Sequence, residues 1–116
     1  MKIGSHISSE TLINDVIPKL KTVEFILENK LKAAIAAHST DAQKRARYEA
    51  LQQEFELELM MIHMNLEHLL TRNAQLLKPQ HGRIENTLLN LDDSEQVALT
   101  TISNLYKKVS ELSMNL

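Results

Sequence analysis

Residues 48–70, YEALQQEFELELMMIHMNLEHLL, decide the fold of this 116-residue chain. Their apolar side chains recur at steps of three and four, which is the spacing of one face of a packed helix. This seam comprises Tyr48, Leu51, Phe55, Leu59, Ile62, Leu66, Leu69 and, beyond the polar Asn73, Leu76. Thr40 with Gln43 resembles a capping box, and Pro79 closes the run. The pattern predicts a helix over residues 40–78.

The same helix is also apolar on the side away from the seam. On a helical wheel of about 100° per residue, the positions opposite Ile62 are Leu57, Met60, Met61 and Met64. One interpretation is that this helix is the central member of a bundle and is buried on both sides by its neighbours. The alternative is a methionine-rich docking surface, because unbranched methionine side chains adapt to different partners. We expect the first of these two arrangements.

A first helix is predicted before this one. Residues 1–8 are expected to be a loose leader, and Ser8 and Ser9 form an N-cap pattern for a helix over residues 9–38. Pro18 predicts a kink or a fresh start at the residue before it. The seam of this helix comprises Ile13, Val16, Leu20, Val23 and Leu27.

A third helix is expected over residues 83–116, after a Pro-Gly turn signal. One heptad line runs along it, interrupted by Glu95. The line comprises Ile84, Leu88, Leu91, Ala98, Ile102, Leu105, Val109, Leu112 and Leu116. Asp93 with Gln96 resembles a capping box, so a break near residue 92 is an alternative to one continuous helix.

These segments together predict a single all-α domain spanning residues 1–116. Short connections favour antiparallel neighbours, and heptad-like steps favour shallow crossing angles. We therefore expect a long antiparallel helical hairpin completed by a third helix, as a three-helix, coiled-coil-like bundle. The composition agrees, because 2 glycines and 2 prolines are too few for the turns of a β-protein.

The composition also argues against several classes of function. A net charge of −2 lacks the basic excess of a nucleic-acid-binding protein. The absence of cysteine excludes thiolate zinc sites and disulfides, and isolated glycines exclude phosphate-cradling loops. No apolar run is long enough to span a membrane and no signal peptide is evident, so a cytoplasmic location is expected. We find no catalytic constellation and expect neither enzymatic activity nor a cofactor.

Three neighbouring side chains invite a metal-site hypothesis: His63, Glu67 and His68. His63 and Glu67 are four residues apart and share a helical flank. A zinc site needs further ligands, and the helical Glu-x-x-His and His-Glu-x-x-His signatures are missing. We therefore expect a solvated flank and no metal site.

Residues 73–91, NAQLLKPQHGRIENTLLNL, resemble the C-terminal helical motif of the FlgN family of flagellar export chaperones. The residues that carry the resemblance are Asn73, Leu76, Leu77, Gln80, Arg83, Leu88 and Leu91. Ala74 stands where the family usually has glycine, and Pro79 stands where the family continues as helix. The resemblance implies a cytosolic helical chaperone of a flagellar or related type III secretion system. Such a chaperone masks amphipathic helical segments of a secreted subunit, and these residues would contact that partner.

The residues of the third helix also predict a partner-binding surface. An apolar stripe at i, i+3, i+7 and i+10 suits docking of an amphipathic helix, and it comprises Ile102, Leu105, Val109 and Leu112. The first hypothesis is a chaperone or adaptor that binds a secreted protein. The alternatives are a self-assembling structural protein, in which the partner is another copy in a homo-oligomer, and an inhibitor or immunity-type binding protein.

Overall fold

The computed structural model describes residues 4–114. Within them the chain contains two short strands and three helices. Strand β1 spans His6–Ser8, helix α1 spans residues 9–37, helix α2 spans Ala42–Arg72, strand β2 spans Leu88–Asn90, and helix α3 spans Asp93–Met114. The chain is therefore mostly helical, as predicted, and it also contains a small two-stranded sheet that the sequence did not indicate.

Helix α1 is continuous through Pro18, which the sequence predicted to cause a kink or a restart. The side chain of Ser8 caps it by accepting a hydrogen bond from the Thr11 amide at 3.1 Å, in agreement with the N-cap pattern. Two wider π-helical segments, Leu12–Val16 and Ile26–Leu31, interrupt its α-helical geometry. Pro18 lies in the first turn after the first of them, where its missing amide donor is tolerated.

The three helices pack side by side around one apolar core. Helices α1 and α2 run antiparallel, with His38 stacked on Tyr48 at the end where the chain turns. Helix α3 packs along both, parallel to α1, and Lys30 donates a 2.8 Å hydrogen bond to Ser113 near its far end. The fully buried side chains of this core include Leu12, Val23, Leu31, Phe55, Ile62, Leu69, Leu99, Ile102 and Val109.

Helix α2 ends at Arg72, six residues before the predicted end at Lys78. Asn73 is the capping residue, and its buried amide donates a 2.9 Å hydrogen bond to the Leu69 carbonyl. The polar residue that interrupts the predicted seam therefore terminates the helix, because its side chain competes for the backbone groups of the last turn.

Residues 83–92, predicted as the start of the third helix, are not helical. The chain first turns at His81 and Gly82, both with positive φ, and Gln80 pairs with Arg83 on either side of this turn. Strand β2 follows, and α3 then begins at Asp93. The start of α3 agrees with the alternative of a break near residue 92, but both alternatives are wrong for the segment before it, which forms turns and a strand. Residues 115–116, with Leu116 of the predicted line, lie outside the described residues.

Strands β1 and β2 pair in antiparallel fashion, with Ile7 opposite Leu89. Both side chains point into the core, while Leu88 and Asn90 on either side of Leu89 are exposed. Ser9 extends the contact because its amide donates to the Thr87 carbonyl and its hydroxyl to the Glu85 carbonyl. The prediction of a loose leader over residues 1–8 is thus wrong for residues 6–8, and residues 1–3 lie outside the described part of the chain.

The core position of the α3 stripe can be tested by truncation. Leu105→Ala is expected to lower the free energy of unfolding by about 2–5 kcal/mol, because it leaves a cavity at a buried site. Val97→Ala is the matched control on the exposed side of the same helix, where we expect a change within about 0.5 kcal/mol. Urea denaturation measures both. Equal, small losses for the two variants would show that the stripe is not part of the core.

Candidate interaction surface

The buried carboxylate of Glu95 holds the start of α3 against the end of α2. Its Oε1 accepts a 2.9 Å hydrogen bond from the Asp92 amide, and the Glu95 amide donates to Asp92 Oδ1 at 2.7 Å. These two bonds form a reciprocal capping box, one residue earlier than the predicted pair of Asp93 and Gln96. Glu95 is thus a structural residue of the helix start and not merely a gap in the apolar line.

Two cationic or ionisable side chains of α2 also contact Glu95. The Arg72 guanidinium donates a hydrogen bond to Glu95 Oε1, and His68 Nδ1 lies 2.9 Å from Glu95 Oε2. Arg72 also donates to the Asn90 carbonyl at 2.9 Å, so it joins β2 to the same cluster. Since the Glu95 side chain is 0 % exposed, these partners offset the cost of removing its charge from water.

His68, Asp92 and Glu95 also place potential metal-ligand atoms within 4.8 Å of one another. This grouping differs from the sequence-based candidates, because His63 instead lies 3.1 Å from Glu24 of α1 and Glu67 is exposed. The Glu95 carboxylate is already used by Arg72 and by the helix cap. The cluster is therefore accounted for as an ion-pair and capping network.

The outward side of α2 carries a line of exposed apolar side chains. Leu57, Met60 and Met64 are 68 %, 61 % and 68 % exposed, whereas Ile62 on the opposite side is fully buried. Met61 is half-buried at one edge of this line. The expectation that neighbouring helices bury α2 on both sides is wrong, because α1 and α3 both pack against the Ile62 side. We call Leu57, Met60 and Met64 the outer stripe.

Open grooves lie on both sides of the outer stripe. The groove between α1 and α2 has a volume of about 340 Å³, and Leu27, Leu59 and Met60 form its apolar lining. Its polar lining comprises Glu24, Glu28, Lys32, Gln52, Glu56 and His63. The groove between α2 and α3 is lined by Met61, Asn65, Asp93, Ser94 and Val97. The apolar surface thus extends beyond the three side chains of the stripe.

The predicted partner stripe on α3 is not available to a partner. Ile102, Leu105 and Val109 are buried, and Leu112 is half-buried against the same core. A heptad stripe is what a core-facing helix shows, and its period is the same whether the covering helices belong to the chain or to a partner. The prediction that these residues form an exposed binding surface is therefore wrong.

The residues that carry the FlgN resemblance do not form one helical face. They lie in the turns and the strand between α2 and α3. Asn73 and Leu91 are buried, Leu77 is half-buried, and Leu76, Gln80, Arg83 and Leu88 are exposed. Because the segment is not helical, these residues lack the regular spacing that the resemblance implies.

Comparison with known protein families, with curated proteins and with solved structures finds no match. Among residues 4–114, no helix combines the length and the apolar character needed to cross a membrane.

The Glu95 cluster generates a stability prediction. Glu95→Ala is expected to cost about 2–3 kcal/mol, because it removes a helix cap and a hydrogen-bonded partner of Arg72. Arg72 and His68 are partly exposed and can regain water, which keeps the loss below that of a fully buried pair. Glu67→Ala, at an exposed position, is the control. Urea denaturation at neutral pH measures the free energy of unfolding of both variants. A Glu95→Ala variant as stable as the wild type would contradict the structural role of Glu95.

Proposed function

We propose that this chain is a non-enzymatic helical adaptor or chaperone that binds an amphipathic helical segment of another protein along the outer stripe of α2. The exposure of Leu57, Met60 and Met64 in one line is the observation that carries the proposal. Three large apolar side chains at steps of three and four match the anchors of a helix in a groove. Methionine at two of the three positions suits a surface that accepts more than one sequence.

The free energy available from burying the outer stripe favours weak, reversible binding. Full burial of one such side chain contributes about 1.5–3 kcal/mol. Because these three are only 61–68 % exposed, burying the rest of all three contributes roughly 3–6 kcal/mol. Association itself costs an estimated 4–15 kcal/mol, so the stripe alone supports weak binding, and contacts in the flanking grooves must supply the remainder. A chaperone or adaptor that delivers its partner needs this ability to release it.

The FlgN resemblance suggests which partner this is. On that basis the chain is a three-helix, coiled-coil-like bundle acting in the cytoplasm, and it masks a helical segment of a flagellar or type III secreted subunit. The site differs from the one first expected, because α2 presents the apolar surface while the 73–91 segment and the α3 stripe do not. An inhibitor or immunity-type role has no specific observation in its favour.

Site-specific photo-crosslinking tests this function. A photoreactive amino acid at position 57 is expected to capture an exported subunit in cells that naturally make the protein, through an amphipathic segment of that subunit. The same amino acid at position 25 is the control, because Phe25 is also exposed but lies on α1. Capture of the same proteins from both positions, or of no protein other than a second copy from position 57, would contradict the proposal.

A matched substitution gives the quantitative measurement. The captured segment, once purified, should bind the wild type and lose at least tenfold in affinity for the Met60→Glu, Met64→Glu double variant, because two carboxylates would be desolvated on docking. The melting temperature should change little, since both positions are exposed. Unchanged affinity in a folded double variant would exclude the outer stripe as the site.

A further inference from the structure

The outer stripe is the centre of a longer seam that follows the whole of α2. The seam advances by alternating steps of four and three, and every one of its residues is exposed. Its members are Ala46, Ala50, Gln53, Leu57, Met60, Met64, Glu67 and Thr71. Five of these eight heptad positions are apolar, and the line runs opposite the core-facing line of Phe55, Ile62 and Leu69. Helix α2 therefore has the spacing of a coiled-coil helix on both sides, and only one side is covered.

We infer that the outer seam pairs with the same seam of a second copy of this chain, with the two α2 helices antiparallel. The two-fold axis lies between Leu57 and Met60, so that Leu57 of each copy packs against Met60 of the other. Met64 then packs beside the aliphatic part of Gln53. Sliding the helices by one heptad, so that the Met60 and Met64 side chains meet, would place Leu57 against the carboxylate of Glu67. Sliding one heptad the other way would place Leu57, Met60 and Met64 against Gln53, Ala50 and Ala46, with no contact between large apolar side chains. The central register packs Leu57 against Met60 twice and places Glu67 against Ala50, and it is therefore the one that the apolar residues favour.

Charges flanking the seam favour the antiparallel orientation over the parallel one. In the antiparallel register Glu56 of each copy lies across from His63 of the other, and Arg47 lies across from His68. A parallel pair would instead oppose the carboxylates of Glu49 and Glu54, and it would place no carboxylate across from a basic side chain. Like-charged flanking pairs are destabilising in coiled coils.

The composition of the seam makes this a weak dimer. Alanine at positions 46 and 50 lets the helices approach closely, but Gln53 and Glu67 place polar groups on the seam and lower its affinity while fixing its register. The dimer would cover the surface assigned above to a partner. If that assignment holds, self-association and partner binding exclude each other, and the dimer is the form in which the free chain protects its apolar side.

Sedimentation equilibrium of the purified wild type over a range of concentrations tests the pairing without any partner. We expect the wild type to show a reversible monomer–dimer equilibrium. The Met60→Glu variant should be monomeric over the same range of concentrations. Gln53→Leu should tighten the dimer at least tenfold, because it replaces a polar seam residue. Phe25→Glu, on α1, should leave the equilibrium unchanged. A monomeric wild type, or a Met60→Glu variant that dimerises normally, would overturn the inference.

Introduced cysteines test the orientation, and the native chain supplies no background because it has no cysteine. Gln53→Cys and Met64→Cys are made in separate chains of different mass, mixed and oxidised. The antiparallel register brings position 53 of one chain against position 64 of the other, so a mixed disulfide should dominate. Like-with-like disulfides would indicate parallel pairing, and random products would indicate no defined pairing, and either result would overturn the register.

These experiments can refute the dimer and the proposed chaperone function independently of each other. A monomeric wild type that still captures an exported subunit through position 57 would refute the dimer and leave the proposed function intact. A dimer with the expected disulfide and no foreign partner would support the inference and refute the chaperone role.

Discussion

The contact between the apolar stripe of α3 and the hairpin of α1 and α2 is the interaction on which the rest of the structure depends. Helix α3 packs against both helices of the hairpin and supplies Leu99, Ile102 and Val109 to the core. Its start is fixed by Glu95, whose charge is met by side chains at the end of α2. Since α1 and α3 both pack on the Ile62 side of α2, the opposite side of that helix is left open to solvent.

This arrangement explains why sequence patterns predicted the helices better than the binding surface. The inward seam of α2, with Phe55, Ile62 and Leu69, has a period that local geometry alone produces, and these residues are buried as expected. The outer stripe has the same period. Which of two apolar sides becomes the core depends on where the other helices pack, and that information is distributed over the whole chain. The same ambiguity led to the assignment of the α3 stripe to a partner.

The short strands and the Glu95 cluster were missed for different physical reasons. A three-residue strand shows too few alternations of apolar and polar residues to be distinguished from the end of a helix. Leu88 and Leu91 also fitted the heptad line that was extended back from α3. The capping box was detectable, because Asp92 and Glu95 have the required spacing. The contacts of Glu95 with His68 and Arg72 were not, because they join residues that approach each other only after the helices have packed.

The pairing of β1 with β2 has a consequence for the order in which the chain folds. It joins Ser8 to Leu88, 80 positions further along the chain, and closing so long a loop costs entropy that is repaid only when the enclosed helices are compact. The hairpin of α1 and α2 needs only the four-residue connection 38–41 and can form locally. We therefore expect the strand pair to close after the hairpin has formed. Helix α3 contacts both helices of the hairpin, so its complete contact surface also needs the hairpin. Until α3 docks, the part of the inward seam of α2 that α3 covers is exposed to solvent. A partly folded chain therefore has exposed apolar surface on two sides of α2, where the folded protein has it on one.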